Sequence, residues 1–254
     1  MDAHLLIAIA LSALIGVSLG LLGGGGSILA VPILVYVAQI DVRTSIEMSL
    51  PVVGATSLAG AMVHGRAGRI DKRAALLFGG AGMVAAPLGA EFTHLVAPRV
   101  LIALFALLMI TVGGLMLRGR RGVPALDSPP PRRLSLALAG LSVGFLTGFL
   151  GVGGGFLIVP ALTLLGDLPI RTAIGTSLLV IAMNSAAGLV SHLRHGSMPM
   201  DLTLAFGASA MIGAILGVRF SNDIAPLQLR RAFGVFVLLI GLSLLIANLL
   251  PEGG

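Results

Sequence analysis

Residues 23–34 read GGGGSILAVPIL, and residues 151–162 read GVGGGFLIVPAL. Both stretches place a run of glycines before a short apolar segment that contains a Val-Pro pair. Glycine and proline are the two poorest helix formers, so each run should interrupt a helix. An interrupted helix leaves backbone N–H and C=O groups without partners, and inside a membrane such backbone is tolerated only where protein or a cavity surrounds it. The two stretches therefore predict a pair of broken helices with a shared purpose.

The composition around these stretches is that of a membrane protein. The 254 residues are 57% hydrophobic and 10% charged, with a mean hydropathy of +1.07. Apolar runs close to the roughly 20 residues that cross a bilayer recur along the chain. They cover residues 5–22, 46–63, 74–92, 100–117, 134–150, 173–190, 202–220 and 232–250. Because these runs are continuously apolar and do not alternate, we expect an all-α polytopic membrane protein and not an outer-membrane barrel.

The charge and the cysteine content exclude further classes of protein. The net charge is +6, but the basic residues lie in short segments between apolar runs, where they act as topology signals and do not suggest nucleic acid. The absence of cysteine excludes disulfides and thiolate metal sites. The N-terminal MDAHLLIAIA lacks the basic residues of a cleaved signal peptide, so we treat it as the start of the first helix.

The chain consists of two copies of one unit. A shift of 128 positions aligns the sequence with itself, without gaps, from about residue 16 to about residue 115. Val31-Pro32 then falls on Val159-Pro160, and Arg43-Thr44 falls on Arg171-Thr172. We predict repeat 1 over residues 1–117, a proline-rich charged linker over 118–133, and repeat 2 over 134–254.

Whether the repeats are parallel or inverted depends on how the glycine-broken piece is counted. The segment 28–38 is long enough for about 16 Å of helix, half a bilayer. If it returns the chain to its starting side, each unit has five segments, and thirteen of the sixteen Lys and Arg residues lie on one side. If it continues the preceding helix as a single crossing, the division is ten against six. The positive-inside rule favours the first arrangement, so we predict inverted repeats of five segments with both termini periplasmic and the linker cytoplasmic.

A glycine-broken segment that ends in Val-Pro, occurs twice, and is followed each time by a Ser- and Thr-bearing helix resembles the sulfite exporter TauE/SafE family. The resemblance covers essentially the whole chain. It implies a multi-pass secondary transporter of the bacterial inner membrane that exports sulfur-containing anions such as sulfite, sulfoacetate or other sulfonates by alternating access. A passive anion channel of the same fold, or a transporter of a small carboxylate, are the alternatives.

The glycine runs are the first candidate site. Residues without side chains let backbone N–H groups approach a ligand, and the N-terminus of a following half-helix favours an anion. The alternative is close helix packing, which we favour for the more widely spaced Gly16, Gly20, Gly144 and Gly148. The predicted anion-binding residues of the runs are Gly24, Gly25, Gly26, Ser27, Gly153, Gly154 and Gly155.

Polar residues on the two helices after the broken segments are the second candidate site. Ser49 and Thr56 are seven residues apart, as are Ser177 and Asn184, so each pair shares a helix face. Hydroxyl and amide donors on one face suit an anion-lined cavity, although hydroxyls can also bond back to their own helix. The candidates are Ser49, Thr56, Ser57, Thr176, Ser177, Asn184 and Ser185.

Charged and titratable residues form the third set. The pairs His64/Arg66 and His192/Arg194 would lie at opposite mouths and steer or gate an anion, or they would cap helix C-termini. Glu47 is the candidate for proton coupling, or it complements the helix dipole in the first turns of its helix.

Other classes of function lack the residues they need. There is no G-x-x-x-x-G-K-[ST] motif for direct use of ATP and no clustered acid–base constellation for an enzyme. We therefore expect no catalytic residue, cofactor or metal. The expected partners are a small anionic substrate and the lipid bilayer, with a possible homo-oligomer and no nucleic acid.

Overall fold

The computed structural model describes residues 3–93, 95–118, 133–150, 155–192 and 199–249, and helices form nearly all of this part of the chain. Within it are two short helices, α2 (Ser27–Pro32) and α7 (Gly155–Leu164), and a set of longer ones. The longer helices are α1 (Ala3–Leu22), α3 (Val42–Arg66), α4 (Lys72–Thr93), α5 (Pro98–Arg118), α6 (Arg133–Leu150), α8 (Ile170–His192), α9 (Met200–Asp223) and α10 (Pro226–Leu249).

Six helical stretches of the described chain are long and apolar enough to cross a membrane. They are Lys72–Phe92, Arg99–Arg118, Arg133–Leu150, Ile170–Ala187, Met200–Ser221 and Pro226–Leu249. The predicted all-α polytopic membrane fold is confirmed. Helix α3 is not among the six, and its first turns carry the polar sequence RTSIEMS.

The first glycine run breaks a helix as expected. The N–H of Gly23 closes α1 by donating to the carbonyl of Leu19 at 2.7 Å, and Gly23 itself takes a φ of +75° that a side chain would disfavour. A single 3₁₀ turn over Gly24–Gly26 then leads into α2. After Pro32, which lies inside the helix, the backbone widens into a π-helical turn over Ile33–Val37.

Both half-helices end in the same way. Each has two closing backbone hydrogen bonds. In the first, an N–H donates to the carbonyl five residues earlier in the chain. In the second, the N–H two positions further on donates to the carbonyl six residues before its own residue. The donor–acceptor pairs are Ala38–Ile33 at 3.0 Å and Ile40–Leu34 at 3.1 Å in repeat 1, and Gly166–Ala161 at 3.1 Å and Leu168–Leu162 at 3.0 Å in repeat 2. The intervening residues, Gln39 and Asp167, both have positive φ. The 128-residue shift therefore relates backbone conformation as well as sequence.

Two pairs of equivalent helices, α5 with α10 and α3 with α8, pack antiparallel. Between α5 and α10, the amide of Asn248 donates to the carbonyl of Arg99 at 3.2 Å, and Nε of Arg230 donates to the carbonyl of Met116 at 3.1 Å. Between α3 and α8, Gly54 faces Ser185, Gly60 faces Leu178 and Gly175 faces His64. In each pair the early part of one helix therefore lies beside the late part of its equivalent.

Helix α1 packs on α9, and α6, its equivalent, packs on α4. Glycines allow the close approach: Gly16 lies against the backbone of Ala210, and Gly144 lies against the backbone of Gly82. Gly20 and Gly148 face Ala214 and Ala86 in the same way. These contacts are related by the 128-residue shift, and they give all four glycines the packing role expected of them.

Different segments lie at the two ends of the bundle. We call one the linker end; it contains the α3–α4 turn, the start of α8 and the α9–α10 turn. Hydrogen bonds from Asp71 to Thr176 and from Arg171 to Ile224 connect these three segments. The opposite end, where Asn248 meets Arg99, is called the terminal end.

Candidate functional site

The first glycine break contacts the start of α7 in the buried interior of the bundle. A Cβ on Gly24 would overlap the carbonyl group of Gly155, so the two backbones are in direct contact. The hydroxyl of Ser27 donates to the carbonyl of Gly24 at 2.7 Å, and a Cβ on Gly155 would come within 2.7 Å of that hydroxyl oxygen. Ser27 and Gly155 occupy equivalent positions in the two repeats. The contact between the repeats therefore lies at the point where the half-helices begin.

Helices α8 and α10 flank this contact. A Cβ on Gly23 would lie 2.6 Å from the hydroxyl oxygen of Ser177, which donates to the carbonyl of Ile174 at 2.8 Å. On the α10 side, a Cβ on Gly25 would lie 3.2 Å from the ring of Phe236. Gly24, Gly25, Gly26 and Gly155 are all buried. Gly153 and Gly154 lie outside the described residues.

The hydroxyls predicted to line a cavity have different surroundings. Thr56 is fully buried and donates to the carbonyl of Val52 on its own helix at 2.6 Å. Thr176 is also buried, and its hydroxyl oxygen accepts the N–H of Asp71 at 3.0 Å. Ser57 is buried, and its hydroxyl oxygen has no hydrogen-bond partner among the described residues. Ser185 is buried beside Gly54, whereas Ser49 is only partly buried.

One helix face is buried in repeat 1 and exposed in repeat 2. Thr56 and Ala59, one turn apart on α3, are 0% and 3% exposed. Their equivalents on α8, Asn184 and Ala187, are both exposed. Asn184 thus does not join the buried hydroxyls around Ser177. The two halves of the bundle are packed unequally at this level, even though their sequences correspond.

His64 is the most deeply buried titratable side chain of the predicted set. The residue is 1% exposed, and neither ring nitrogen has a hydrogen-bond partner of standard geometry within the described chain. The backbone of Gly20 lies beside the ring, and a Cβ on Gly175 of α8 would come within 2.9 Å of the His64 Cβ. The side chain is thus enclosed by two glycines, one from each repeat.

The surroundings of His64 include two arginines. Arg66, the arginine of the predicted steering pair, is exposed at the end of α3. Arg69 and Arg171 are instead close enough to interact electrostatically with the imidazole. Arg171 also donates to the carbonyl of Ile224 at 2.9 Å, which holds it at the linker end.

The remaining predicted residues are His192, Arg194 and Glu47. His192 is the last residue of α8, and nothing is described of its side chain; Arg194 lies outside the described residues. Glu47 is partly buried in the second turn of α3. The carboxylate of Asp41 precedes it as the N-cap of α3, accepting the N–H of Thr44 at 3.0 Å.

Sequence reasoning did not single out Arg69, Arg171 or Gly175 as neighbours of His64. The only signal was the repeated Arg-Thr at 43–44 and 171–172. Arg69 is held near His64 locally, because its N–H donates to the carbonyl of His64 at 2.9 Å. The proximity of Arg171 and Gly175 depends on a contact between the two repeats, over 100 residues apart in the chain, and no local pattern encodes it.

Comparison with known proteins gives a consistent result. The family model described as "Sulfite exporter TauE/SafE" matches residues 8–244. A "Probable membrane transporter protein" of Xylella fastidiosa (strain 9a5c) is 34% identical over 244 residues, which is 94% of either chain. "Probable membrane transporter protein YdhB" of Bacillus subtilis is 28% identical over 238 residues, covering 91% of this chain and 96% of that protein. No solved structure matches.

Proposed function

Because the chain belongs to the sulfite exporter TauE/SafE family and is a membrane transporter, we propose that it exports a sulfur-containing anion, such as sulfite, sulfoacetate or another sulfonate. The observation that carries this proposal is the meeting of the two glycine breaks at Gly24 and Gly155. Half-helix N-termini that converge from two repeats are a recurring design for anion sites in secondary transporters.

Backbone amides and hydroxyls hold the anion in this proposal. A sulfonate or sulfite group carries several acceptor oxygens, and N–H groups at a helix start supply donors without the desolvation cost of a buried cation. Ser27 and Ser177 add hydroxyls on either side of the glycine contact. Since Gly24 touches Gly155 in the described conformation, the anion enters only when the two breaks separate, which moves one repeat against the other.

The repeats are inverted in this proposal, and the protein works by alternating access in the bacterial inner membrane. Antiparallel packing of α5 on α10 and of α3 on α8 supports inversion, because equivalent helices of parallel repeats would run in the same direction. The unequal burial of Thr56 and Asn184 supports a bundle closed on one side and open on the other. The termini then lie in the periplasm and the linker in the cytoplasm.

Export is the direction that the membrane potential favours. Moving one negative charge outward across an inside-negative membrane is favourable by about 2.3 kcal/mol per 100 mV. Glu47 is the proposed carboxylate for any additional coupling to protons.

Flux measurements in proteoliposomes test this function. We expect the flux of [³⁵S]sulfite or sulfoacetate to saturate and to be accelerated by unlabelled substrate on the opposite side. After releasing its substrate, a transporter must reorient its binding site before the next cycle, and substrate on the opposite side lets the site reorient loaded. Acetate and succinate serve as carboxylate competitors. Flux that rises linearly with substrate concentration and is insensitive to substrate on the opposite side would mean that the protein is a channel. Binding of acetate or succinate without binding of sulfite or sulfoacetate would mean that the substrate is a carboxylate.

A further inference from the structure

A line of buried polar side chains runs along the seam between α3 and α8. Ser57 and His64 are seven residues apart, two helical turns, and so share one face of α3. Gly60 lies between them on this face and packs against Leu178 of α8. Both side chains are buried, at 0% and 1% exposure. The hydroxyl oxygen of Ser57 has no hydrogen-bond partner among the described residues, and the His64 ring has only the backbone of Gly20 beside it, outside standard hydrogen-bond geometry.

Leaving such groups without partners is costly. An unsatisfied buried polar group loses its bonds to water without regaining them in the protein, and an apolar residue of similar size would avoid that cost. Position 64 faces small residues, since Gly20 lies beside the ring and Gly175 faces its Cβ. An imidazole retained in such surroundings indicates a partner that is present in another state of the protein.

The position of His64 indicates what that partner is. On one side lie Arg69 and Arg171, both partly exposed at the linker end. On the other side lies the central glycine contact, because Gly20 precedes Gly23 by three residues and Gly175 precedes Ser177 by two. His64 therefore lies between a cationic mouth and the proposed central site. The carboxylate of Asp71, in the α3–α4 turn, accepts the N–H of Ala74 at 2.9 Å.

We propose that His64, Arg69 and Arg171 form a second anion-binding site at the linker end, through which the transported anion passes to or from the glycine contact. In the described conformation the imidazole is enclosed and this route is closed. Separation of α3 from α8 opens it and exposes the ring to the anion. This inference rests on the proposed function, and it assigns to Arg69 and Arg171 the steering role that the sequence suggested for Arg66.

Oriented membrane vesicles test the second site. Initial rates of [³⁵S]sulfite entry are measured from each face for wild type, His64→Leu, Arg69→Gln and Arg171→Gln. We expect the KM for entry from the linker face to rise about tenfold or more in each variant, since each removes a hydrogen bond from an anionic group. The KM for entry from the terminal face should change by less than about twofold, within the spread of context effects.

Arg73→Gln is the matched control, because Arg73 is an exposed arginine at the same end and its replacement removes the same charge. Arg171→Lys and Arg69→Lys retain charge and should recover much of the affinity. If Arg171→Gln fails to fold after losing its bond to Ile224, Arg69→Gln and His64→Leu provide the measurement.

If the KM for entry from the linker face is the same in every folded variant as in Arg73→Gln, the second site is overturned. An equal rise in KM from both faces also overturns it, because that result places the three residues in the central site. Absence of saturable sulfite flux in wild type is a separate outcome, and it contradicts the proposed function itself.

Discussion

Individual glycines in the first run have different neighbours, although the sequence shows four identical residues. Gly24 lies against the backbone of Gly155, the first residue of α7 in repeat 2. Gly25 faces the ring of Phe236, a side chain that can shift by a few tenths of an ångström. The first position therefore serves the contact between repeats, and the second has more room for a small side chain.

This difference predicts separable effects of two substitutions. Gly24→Ala should lower the melting temperature of the purified protein by about 3 °C or more, as expected of an overpacked contact between backbones. Gly25→Ala should leave the melting temperature nearly unchanged but raise the KM for sulfite, because its methyl group covers a backbone donor of the proposed site. Melting curves in detergent and flux in proteoliposomes check the two effects. A wild-type KM for Gly25→Ala would return this glycine to a packing role.

At the level of helices, glycine stripes set how closely elements approach. Helices α1 and α6 use glycines to contact α9 and α4, and the exchange is symmetric under the 128-residue shift. Each repeat therefore packs its first helix on the fourth helix of the other. Such interdigitated packing explains why the two copies form one bundle rather than two adjacent domains.

The glycine contact between α6 and α4 predicts opposite effects on stability for two Gly→Ala changes, one in each of these helices. Gly144→Ala should destabilise the protein, because the new Cβ would overlap the backbone of Gly82 of α4. Gly80→Ala, in α4 itself, should be neutral or stabilising by up to about 1 kcal/mol, since a Cβ there meets nothing within 4 Å and alanine is the better helix former. Thermal melting of both variants checks the contrast. Equal destabilisation would show that the α4–α6 contact is looser than described.

For the whole molecule, the arrangement of its ends is the decisive feature. The α3–α4 and α9–α10 turns both lie at the linker end, joined through α8 by bonds of Asp71 and Arg171. With five segments per repeat these turns share one side of the membrane. With the broken piece counted as part of a single crossing, they would lie on opposite sides.

Single-cysteine labelling distinguishes these arrangements, and the natural chain contains no cysteine to interfere. Exposed Ala67, Ala97 and Ala225 mark the α3–α4, α4–α5 and α9–α10 turns. We expect Ala67→Cys and Ala225→Cys to react with a membrane-impermeant maleimide only in inside-out vesicles, and Ala97→Cys only in spheroplasts. Labelling of Ala67→Cys and Ala225→Cys from opposite sides would contradict the inverted arrangement.

The sequence by itself determined the helical membrane fold, the two-copy organisation and the position of the first break. These features follow from apolar runs of bilayer length, from self-similarity at a fixed spacing, and from the conformational freedom of Gly23. Only the tertiary structure decided that Gly24 meets Gly155, that His64 approaches Arg171 while Arg66 is exposed, and that Thr56 is buried where Asn184 is not. Each of these depends on which face of one repeat packs on the other, and contacts between segments over 100 residues apart leave no local pattern in the chain.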